Sequence, residues 1–200
     1  MKRFAWIAGP VAALALVYVF TGPYVFPTSV ALGPCLKDFT SPNSYTSRSS
    51  PLKSLDLTIG EVRGRLCYGA PSSRGRRLFG EGSLVPDGRL WRLGANEPTR
   101  LFLDGTVRFG ELTLEPGRYA LYAEPGPLEW RIFVSTSTWH WGNQITAGVR
   151  DAEVGSFVVP RVRRGTHVEQ MTFTQEQGEL LLSWGFTRVR IPLTPAGSTP

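Results

Sequence analysis

Residues 119–134 read YALYAEPGPLEWRIFV, and this stretch decides the fold class. Tyr119, Leu121 and Ala123 would share one face of a strand, and Trp130, Ile132 and Val134 one face of another. Large apolar side chains two residues apart are typical of a β-strand with a buried face. Between the two runs, the EPGP segment at 124–127 has the composition of a turn. The stretch therefore predicts two neighbouring antiparallel strands.

The same alternation extends outward through most of the chain, and no convincing helical period interrupts it. Asp104-Gly105 is a strong hairpin signal and predicts pairing of 101–103 with 107–109. Short strands separated by Gly and Pro favour an all-β fold, an antiparallel β-sandwich over 52–194. We expect these residues to be mostly buried: Tyr119, Leu121, Trp130, Ile132, Val134, Phe173, Leu182 and Trp184.

The N-terminal part of the chain differs from this domain. Residues 4–36 contain no charged side chain, whereas Lys2 and Arg3 precede them. As a helix, 4–26 would span ~34 Å, enough to cross a bilayer. We therefore expect a single membrane anchor within 1–27, a linker over 28–51 and a C-terminal tail over 195–200. A cleaved signal peptide ending near the small residues 29–31 and a lipidated Cys35 are the alternatives.

Charge and cysteine content narrow the functional classes. The chain has 22 basic and 16 acidic residues, a formal net charge of +6. This excess is too weak to indicate nucleic-acid binding, but it suits an anionic membrane surface or an acidic partner. An exported domain meets an oxidising compartment, so Cys35 and Cys67 are candidates for a disulfide. Two unpaired thiols, with Cys67 buried, are the alternative.

The most distinctive segment is 71–99, PSSRGRRLFGEGSLVPDGRLWRLGANEPT. With the LEPGRYAL run at 114–121, Trp141-Gly142 and the strand ending at Trp184, it resembles a bacterial exported family of unassigned role, domain-of-unknown-function family 2911. The resemblance spans about 52–193. It implies an exported, β-rich domain and implies no activity.

The motif segment contains the best candidate for a ligand site. Trp91, Arg92, Asn96 and Glu97 combine an aromatic ring, a cation, an amide and a carboxylate near a glycine. In a pocket, Trp91 would be a stacking platform, Arg92 and Glu97 charged contacts, and Asn96 a hydrogen-bonding group. The alternative is a buried network in which Arg92 pairs with Glu97 and Asn96 closes a turn.

Two late strand segments contain arginines at alternate positions. Arg161 and Arg163 share one face of a strand, and Arg188 and Arg190 share one face of another. If the strands pair, we expect a basic ribbon that contacts lipid headgroups or an acidic subunit. An ordinary solvated face is the alternative.

Catalytic chemistry has little support in the sequence. His140 and His167 lack a neighbouring cluster of metal ligands, so we expect no metal site and no cofactor. Neither Ser135 nor Ser137 lies in a nucleophile motif that would use His140 as base. Glu97 and Glu129 could form a carboxylate pair only if the fold brought them together. We therefore expect a protein that is not an enzyme.

These observations favour an accessory or scaffolding subunit in a larger bacterial membrane complex. It would be a single-pass protein of the inner membrane, with its N-terminus cytoplasmic and its C-terminal domain periplasmic. Its partners would be integral membrane subunits, in a respiratory or a photosynthetic reaction-centre and light-harvesting assembly, although no motif supports the photosynthetic host. The alternatives are a β-sandwich module that binds a small ligand or carbohydrate, and an unrecognised hydrolase.

Overall fold

The computed structural model describes Gly33, Cys35, residues 49–140 and residues 142–197. The predicted anchor at 4–26, most of the predicted linker at 28–51 and Trp141 lie outside the described residues. Within the described residues, no helix combines the length and apolarity needed to cross a bilayer.

Strands account for most of residues 49–140 and 142–197. The described part of the chain contains nine strands and one short helix. In chain order they are β1 (Leu52–Ile59), β2 (Val62–Gly69), β3 (Thr99–Leu103), β4 (Val107–Phe109), β5 (Leu112–Leu114), β6 (Gly117–Pro125), β7 (Glu129–Ser135), α1 (Ala147–Asp151), β8 (Glu153–Glu176) and β9 (Glu179–Pro195).

The strands form one sheet in the order β1-β2-β3-β6-β7-β8-β9-β4-β5. Every neighbouring pair in this order is antiparallel. The prediction of an antiparallel β domain with almost no helix is thus confirmed. The hairpin predicted around the EPGP turn is also present, because Ala120–Pro125 of β6 pairs with Trp130–Ser135 of β7.

Two long strands connect the halves of the sheet. β8 pairs with β7 up to Pro160 and with β9 from Arg161 onward. The register between β8 and β9 shifts twice, between Arg163 and Val168 and between Val168 and Thr172. The Gln175 side chain in β8 joins both backbone groups of Thr58 in β1, at 3.0 and 2.7 Å. Strands that are far apart in the sheet order therefore meet across the core.

One apolar core receives side chains from both halves of the sheet. Trp130 in β7 and Trp184 in β9 are its two largest fully buried side chains. Successive side chains of a strand point to opposite faces of the sheet, so residues two apart share the face that forms this core, while Tyr122 and Phe133 pack in a second buried cluster with Val149. All eight residues predicted to be buried are buried: Tyr119, Leu121, Trp130, Ile132, Val134, Phe173, Leu182 and Trp184.

The hairpin predicted at Asp104-Gly105 is wrong. β3 pairs with β2 and β6, whereas β4 pairs with β5 and β9. The cause lies in Asp104, whose carboxylate accepts bonds from the Arg63 backbone N–H at 2.7 Å and from the Arg63 Nε at 2.9 Å. These bonds continue the contact with β2, and the chain then crosses to the other half of the sheet.

A disulfide attaches the start of the described chain to the sheet. Cys35 and Cys67 are bonded, with their Cα atoms 5.4 Å apart and a sequence separation of 32. Cys67 lies in β2 and is 1% exposed. The bond therefore holds residue 35 against the face of β2. Gly33 lies nearby, where an added Cβ would be 3.1 Å from the ring of Phe102.

Candidate ligand pocket

Two segments that are about twenty residues apart in sequence line one pocket of about 320 Å³. The first, 71–76, follows β2, and the second, 91–97, precedes β3. Ser49 and Ser50 close one side, and Asn143 lies at another. We call this cavity the motif pocket and define it by Arg74, Arg76, Arg92, Asn96 and Asn143.

The first segment is fixed by backbone bonds to β8. The Ser73 N–H donates to the Glu169 carbonyl at 2.8 Å, and the Met171 N–H donates to the Pro71 carbonyl at 2.8 Å. The Glu169 carboxylate then accepts the Ser73 hydroxyl and the Arg74 backbone N–H. These two bonds, the hydroxyl first, lower the pKa of Glu169. The segment is thus attached to a long strand of the sheet.

The second segment is held by its own polar groups. The Trp91 indole N–H donates to the Gly94 carbonyl at 3.0 Å, and the Thr99 hydroxyl donates to the Leu93 carbonyl at 3.0 Å. The Asn96 amide donates to the Ser50 carbonyl at 3.2 Å. The loop is therefore tied to its own ends and to the chain that enters the domain.

Backbone strain concentrates in these two segments. Arg74, Leu93 and Asn96 have φ angles of 49°, 55° and 63°, in the left-handed region that suits glycine. Within the described residues, one other non-glycine residue has a positive φ, Gln177 in the β8–β9 turn. Each such residue costs about 1–2 kcal/mol relative to ordinary backbone. The fold maintains this geometry against local preference, which is common where a protein binds ligands.

Three arginines give the motif pocket its charge. Arg76 donates from Nε to the Ser73 carbonyl at 3.0 Å and from Nη2 to the Ser72 carbonyl at 2.7 Å. Arg74 reaches the Ser49 carbonyl at 3.3 Å. The Nε of Arg92 is buried and has no hydrogen-bond partner among the residues that the structure describes. Burial lowers the pKa of Arg92, and the Glu97 carboxylate opposes this shift.

Glu97 lies behind the pocket and does not line it. Its side chain is fully buried, at 0% exposure. The charge of Glu97 acts on Arg92, as the predicted buried network requires. Gly142 packs on this region so closely that a Cβ there would lie 2.2 Å from the Asn96 carbonyl oxygen.

The stacking role predicted for Trp91 does not fit the structure. Trp91 is 8% exposed, lies stacked on Trp184 with 6.0 Å between ring centroids, and contacts Phe79 and Trp130 edge-on. An antiparallel β-bridge between Trp91 and Ala123 fixes the backbone of Trp91 beside β6, and both faces of its ring pack in the core. Of the four predicted residues, Arg92 and Asn96 line the pocket with polar atoms, and Trp91 closes its floor.

The four arginines predicted as one ribbon lie on two faces. β8 and β9 do pair, but Arg161 is opposite Val189 and Arg188 is opposite Val162. Because directly opposed residues share a face, the Arg161 pair and the Arg188 pair point to opposite sides of the sheet. Sequence alternation identifies the face within each strand but not the register between strands. Arg190 also forms an ion pair with Glu179.

Arg161 and Arg163 line an open groove of about 790 Å³. The Arg161 guanidinium lies 5.1 Å from the centre of the Phe79 ring, and that of Arg163 lies 5.1 Å from the Phe186 ring. Leu128 at the groove is 80% exposed, and Phe186 is 43% exposed. We call this surface the basic groove and define it by Arg77, Leu128, Arg161, Arg163 and Phe186. It meets the motif pocket at Arg76 and Trp184, which line both.

The sequence does not mark several residues that line these surfaces. Arg74 and Arg76 lie in the 71–99 segment without a predicted role, and Leu128 and Asn143 lie in no predicted site. The signal for the first pair was present, since both belong to the 71–99 motif. Leu128 and Asn143 lie in turns without a diagnostic pattern, so only the fold locates them.

Ser135 and His140 lie outside both cavities, whereas His167 lines the basic groove, where its ring contacts Phe186 edge-on. The Ser135 hydroxyl donates to the Val149 carbonyl at 2.8 Å, at α1. His140 is partly buried, and burial lowers its pKa, with a backbone bond at Ser137 acting in the opposite direction. Among the described residues, no cluster of three or more His, Cys, Asp and Glu side chains could hold a metal ion.

Comparison with known proteins gives a family match over most of the described domain. A family described as "Protein of unknown function (DUF2911)" matches residues 50–193, well over half of the chain. The matched region includes every strand except the last two residues of β9. No curated protein and no solved structure matches the chain.

Proposed function

The chain belongs to the DUF2911 family of proteins of unknown function, and we propose that its β domain is a non-catalytic module that binds a small polar ligand in the motif pocket. The observation that carries this proposal is the convergence of segments 71–76 and 91–97 on one polar cavity. These segments also contain the strained residues Arg74, Leu93 and Asn96.

The size and lining of the pocket suit a small molecule. Ligand sites commonly enclose about 300–1,000 Å³ and use a few placed polar groups for orientation. The motif pocket, with about 320 Å³, lies at the lower end of this range. Guanidinium, amide and hydroxyl groups can donate hydrogen bonds into it. A ligand of monosaccharide or small organic acid size would fill it.

Binding without turnover is supported by how the polar groups are used. Ser135 donates its hydroxyl to a backbone carbonyl, and Ser73 donates to the Glu169 carboxylate. Glu97 is buried behind the pocket wall. None of these groups has the exposed, poised geometry of a nucleophile or general base. Their bonds stabilise the shape of the pocket instead.

We extend the proposal to architecture and location. The two halves of the sheet act as the layers of a β-sandwich, and residues 4–26 anchor the domain on the periplasmic side of a bacterial inner membrane. The Cys35–Cys67 bond supports an oxidising compartment. Lys2 and Arg3 before the apolar run support a cytoplasmic N-terminus.

A pocket-blocking variant tests the proposal. Asn143 is exposed at the pocket, whereas the adjacent Gln144 is exposed and does not line it. Thermal unfolding of the full-length protein in mild detergent is measured against hexoses, uronic acids, dicarboxylates and phosphate esters. At least one compound should stabilise the wild type and Gln144→Trp but not Asn143→Trp. Stabilisation by none of the panel, or equal stabilisation of both variants, would contradict the proposal.

The accessory-subunit function remains a second proposal, favoured by the basic groove. Leu128 and Phe186 are exposed apolar side chains beside Arg161 and Arg163, a combination that suits an interface with an acidic rim. The domain would bridge integral membrane subunits in this way, with the anchor providing a second point of attachment.

Gentle detergent extraction from native membranes tests this second proposal. The double variant Leu128→Ser, Phe186→Ser should lose the subunits that co-migrate with the wild type. Val154→Ser, which removes an exposed apolar side chain outside the groove, is the matched control. An unchanged set of co-migrating subunits in the double variant would count against a scaffold at this face.

A further inference from the structure

The geometry of the motif pocket points to the chemical class of its ligand: we propose that it binds an oxyanion group, such as a carboxylate or phosphate, through Arg74, Arg76 and Arg92. This inference rests on the proposed function and specifies the ligand of the same site.

The net positive charge of the motif pocket favours an anionic ligand. Three arginines line the motif pocket, and no carboxylate lines it in the part of the chain that the structure describes. The nearby Glu169 and Glu97 act on Arg74 and Arg92 from outside the lining. The hydrogen-bond partners of Arg76 in the described chain are the neutral carbonyls of Ser73 and Ser72. The site thus keeps an excess of positive charge that an anion would balance.

The hydrogen-bond donors of the pocket also favour an anion. Bonds to Ser72 and Ser73 hold the Arg76 guanidinium in place before any ligand arrives. The buried Nε of Arg92 has no hydrogen-bond partner within residues 49–140 and 142–197. A buried donor without a partner is costly, and a charge-assisted bond to an anion would satisfy it. Guanidinium groups match carboxylate and phosphate oxygens through paired N–H donors.

The absence of an exposed aromatic ring face among the described lining residues disfavours a neutral sugar as the ligand. Sugar sites typically offer an exposed aromatic face for the ring. The two tryptophans at this pocket, Trp91 and Trp184, are stacked on each other and buried in the core. What remains accessible is mainly polar and cationic. Recognition therefore depends on charge and hydrogen bonds rather than on stacking.

Calorimetric titration of the full-length protein in neutral detergent tests the inference. The probes are inorganic phosphate, succinate and glucose. We expect phosphate or succinate to bind, more weakly as salt is raised, and glucose not to bind. Arg74→Gln and Arg92→Gln should each weaken the anion about 10- to 100-fold. Arg108→Gln removes an exposed charge on β4, outside both cavities, and should leave affinity unchanged.

Thermal unfolding of each variant separates loss of binding from loss of the fold. Arg92 is partly buried, so its substitution perturbs packing, whereas Arg74 is exposed. If Arg92→Gln fails to fold, Arg74→Gln alone decides the question. Glucose binding that is blocked by Asn143→Trp, with no anion binding, would overturn the oxyanion inference but retain the proposed function. Binding of none of the small-molecule panel would overturn both. Anion binding that neither arginine variant weakens would also overturn the inference.

The oxyanion could belong to a free solute or to a lipid headgroup, and nanodiscs separate these sources. Full-length protein is placed in phosphatidylcholine discs and in discs containing phosphatidylglycerol, and phosphate is titrated into each. A lipid headgroup in the site would compete with phosphate. Phosphate that binds more weakly in the anionic discs than in the phosphatidylcholine discs, with this difference abolished by Arg74→Gln, therefore assigns the site to a headgroup. Equal binding in both assigns it to a free solute. Either result supports an oxyanion site, whereas no phosphate or succinate binding in either disc would overturn it.

Discussion

The disulfide offers the sharpest quantitative prediction. Changing Cys35 to Ser removes the bond to Cys67 but leaves the buried Cys67 side chain in place, so no cavity forms. The bond closes a loop with a sequence separation of 32. Chain-entropy theory gives a loss of unfolded-state freedom equivalent to about 3.7 kcal/mol at 25 °C for a loop of about 32 residues. We expect Cys35→Ser to lower the free energy of unfolding by about 2–4 kcal/mol.

Urea unfolding of the full-length protein in mild detergent measures this change. Intrinsic fluorescence follows the transition, because Trp130 and Trp184 are fully buried and report loss of the core. The experiment has an internal control in the reductant. Reduced wild type and Cys35→Ser should unfold at the same urea concentration, and reductant should have no effect on the variant. The oxidised wild type should be distinctly more stable than both.

Two results would refute this reasoning. A difference below about 1 kcal/mol between oxidised wild type and Cys35→Ser would mean that the bond does not restrict the unfolded chain as the loop length requires. Alkylation of both thiols without prior reduction would mean that the bond does not form. The alkylation result would also remove the support that the bond gives to a periplasmic location.

Three further changes test the packing, the sheet closure and the pH response. Gly142→Ala places a methyl group on the Asn96 carbonyl, so thermal unfolding should show a loss of about 1–3 kcal/mol, whereas Gly148→Ala, which has no contact closer than 4.0 Å, should show none. Gln175→Leu removes both bonds to β1 and should cost about 1–3 kcal/mol in urea unfolding. Burial lowers the pKa of His140 in the folded state. The contribution of neutral His140 to stability is therefore complete above the unfolded pKa of about 6.5, and it is lost as the pH falls from that value through the lower folded pKa. His140→Asn should flatten this decline in a pH series of melting temperatures.

The strands and the core were predictable because the information is local. Alternation along 119–123 and 130–134 reveals which side chains of a strand share a face, and this required no knowledge of neighbouring strands. The EPGP turn likewise depends on four adjacent residues. The buried position of Trp130 followed from the same spacing, and that of Trp184 from the apolar strand that it ends.

The failures share a different cause, which is that pairing is not local. Asp104-Gly105 has the composition of a hairpin turn. However, Asp104 bonds to Arg63, 41 residues earlier, and the chain then crosses to the other half of the sheet. The faces of Arg161 and Arg188 depend on the register between β8 and β9, which no short-range pattern encodes. Trp91 was placed at the correct site, but its ring orientation is determined by Trp184, 93 residues later in the chain.

The position of β9 in the sheet also has a consequence for biosynthesis. β9 lies between β8 and β4, so Val107–Phe109 finds its partner only at Leu193–Pro195. Because a chain emerges from its N-terminus, β4 must wait for 84 further residues, from 109 to 193, before it can pair with β9. During that interval the edge of β4 that faces away from β5 is unpaired, and unpaired strand edges are templates for aggregation. A chaperone that covers this strand edge during that interval would therefore have the greatest effect on yield.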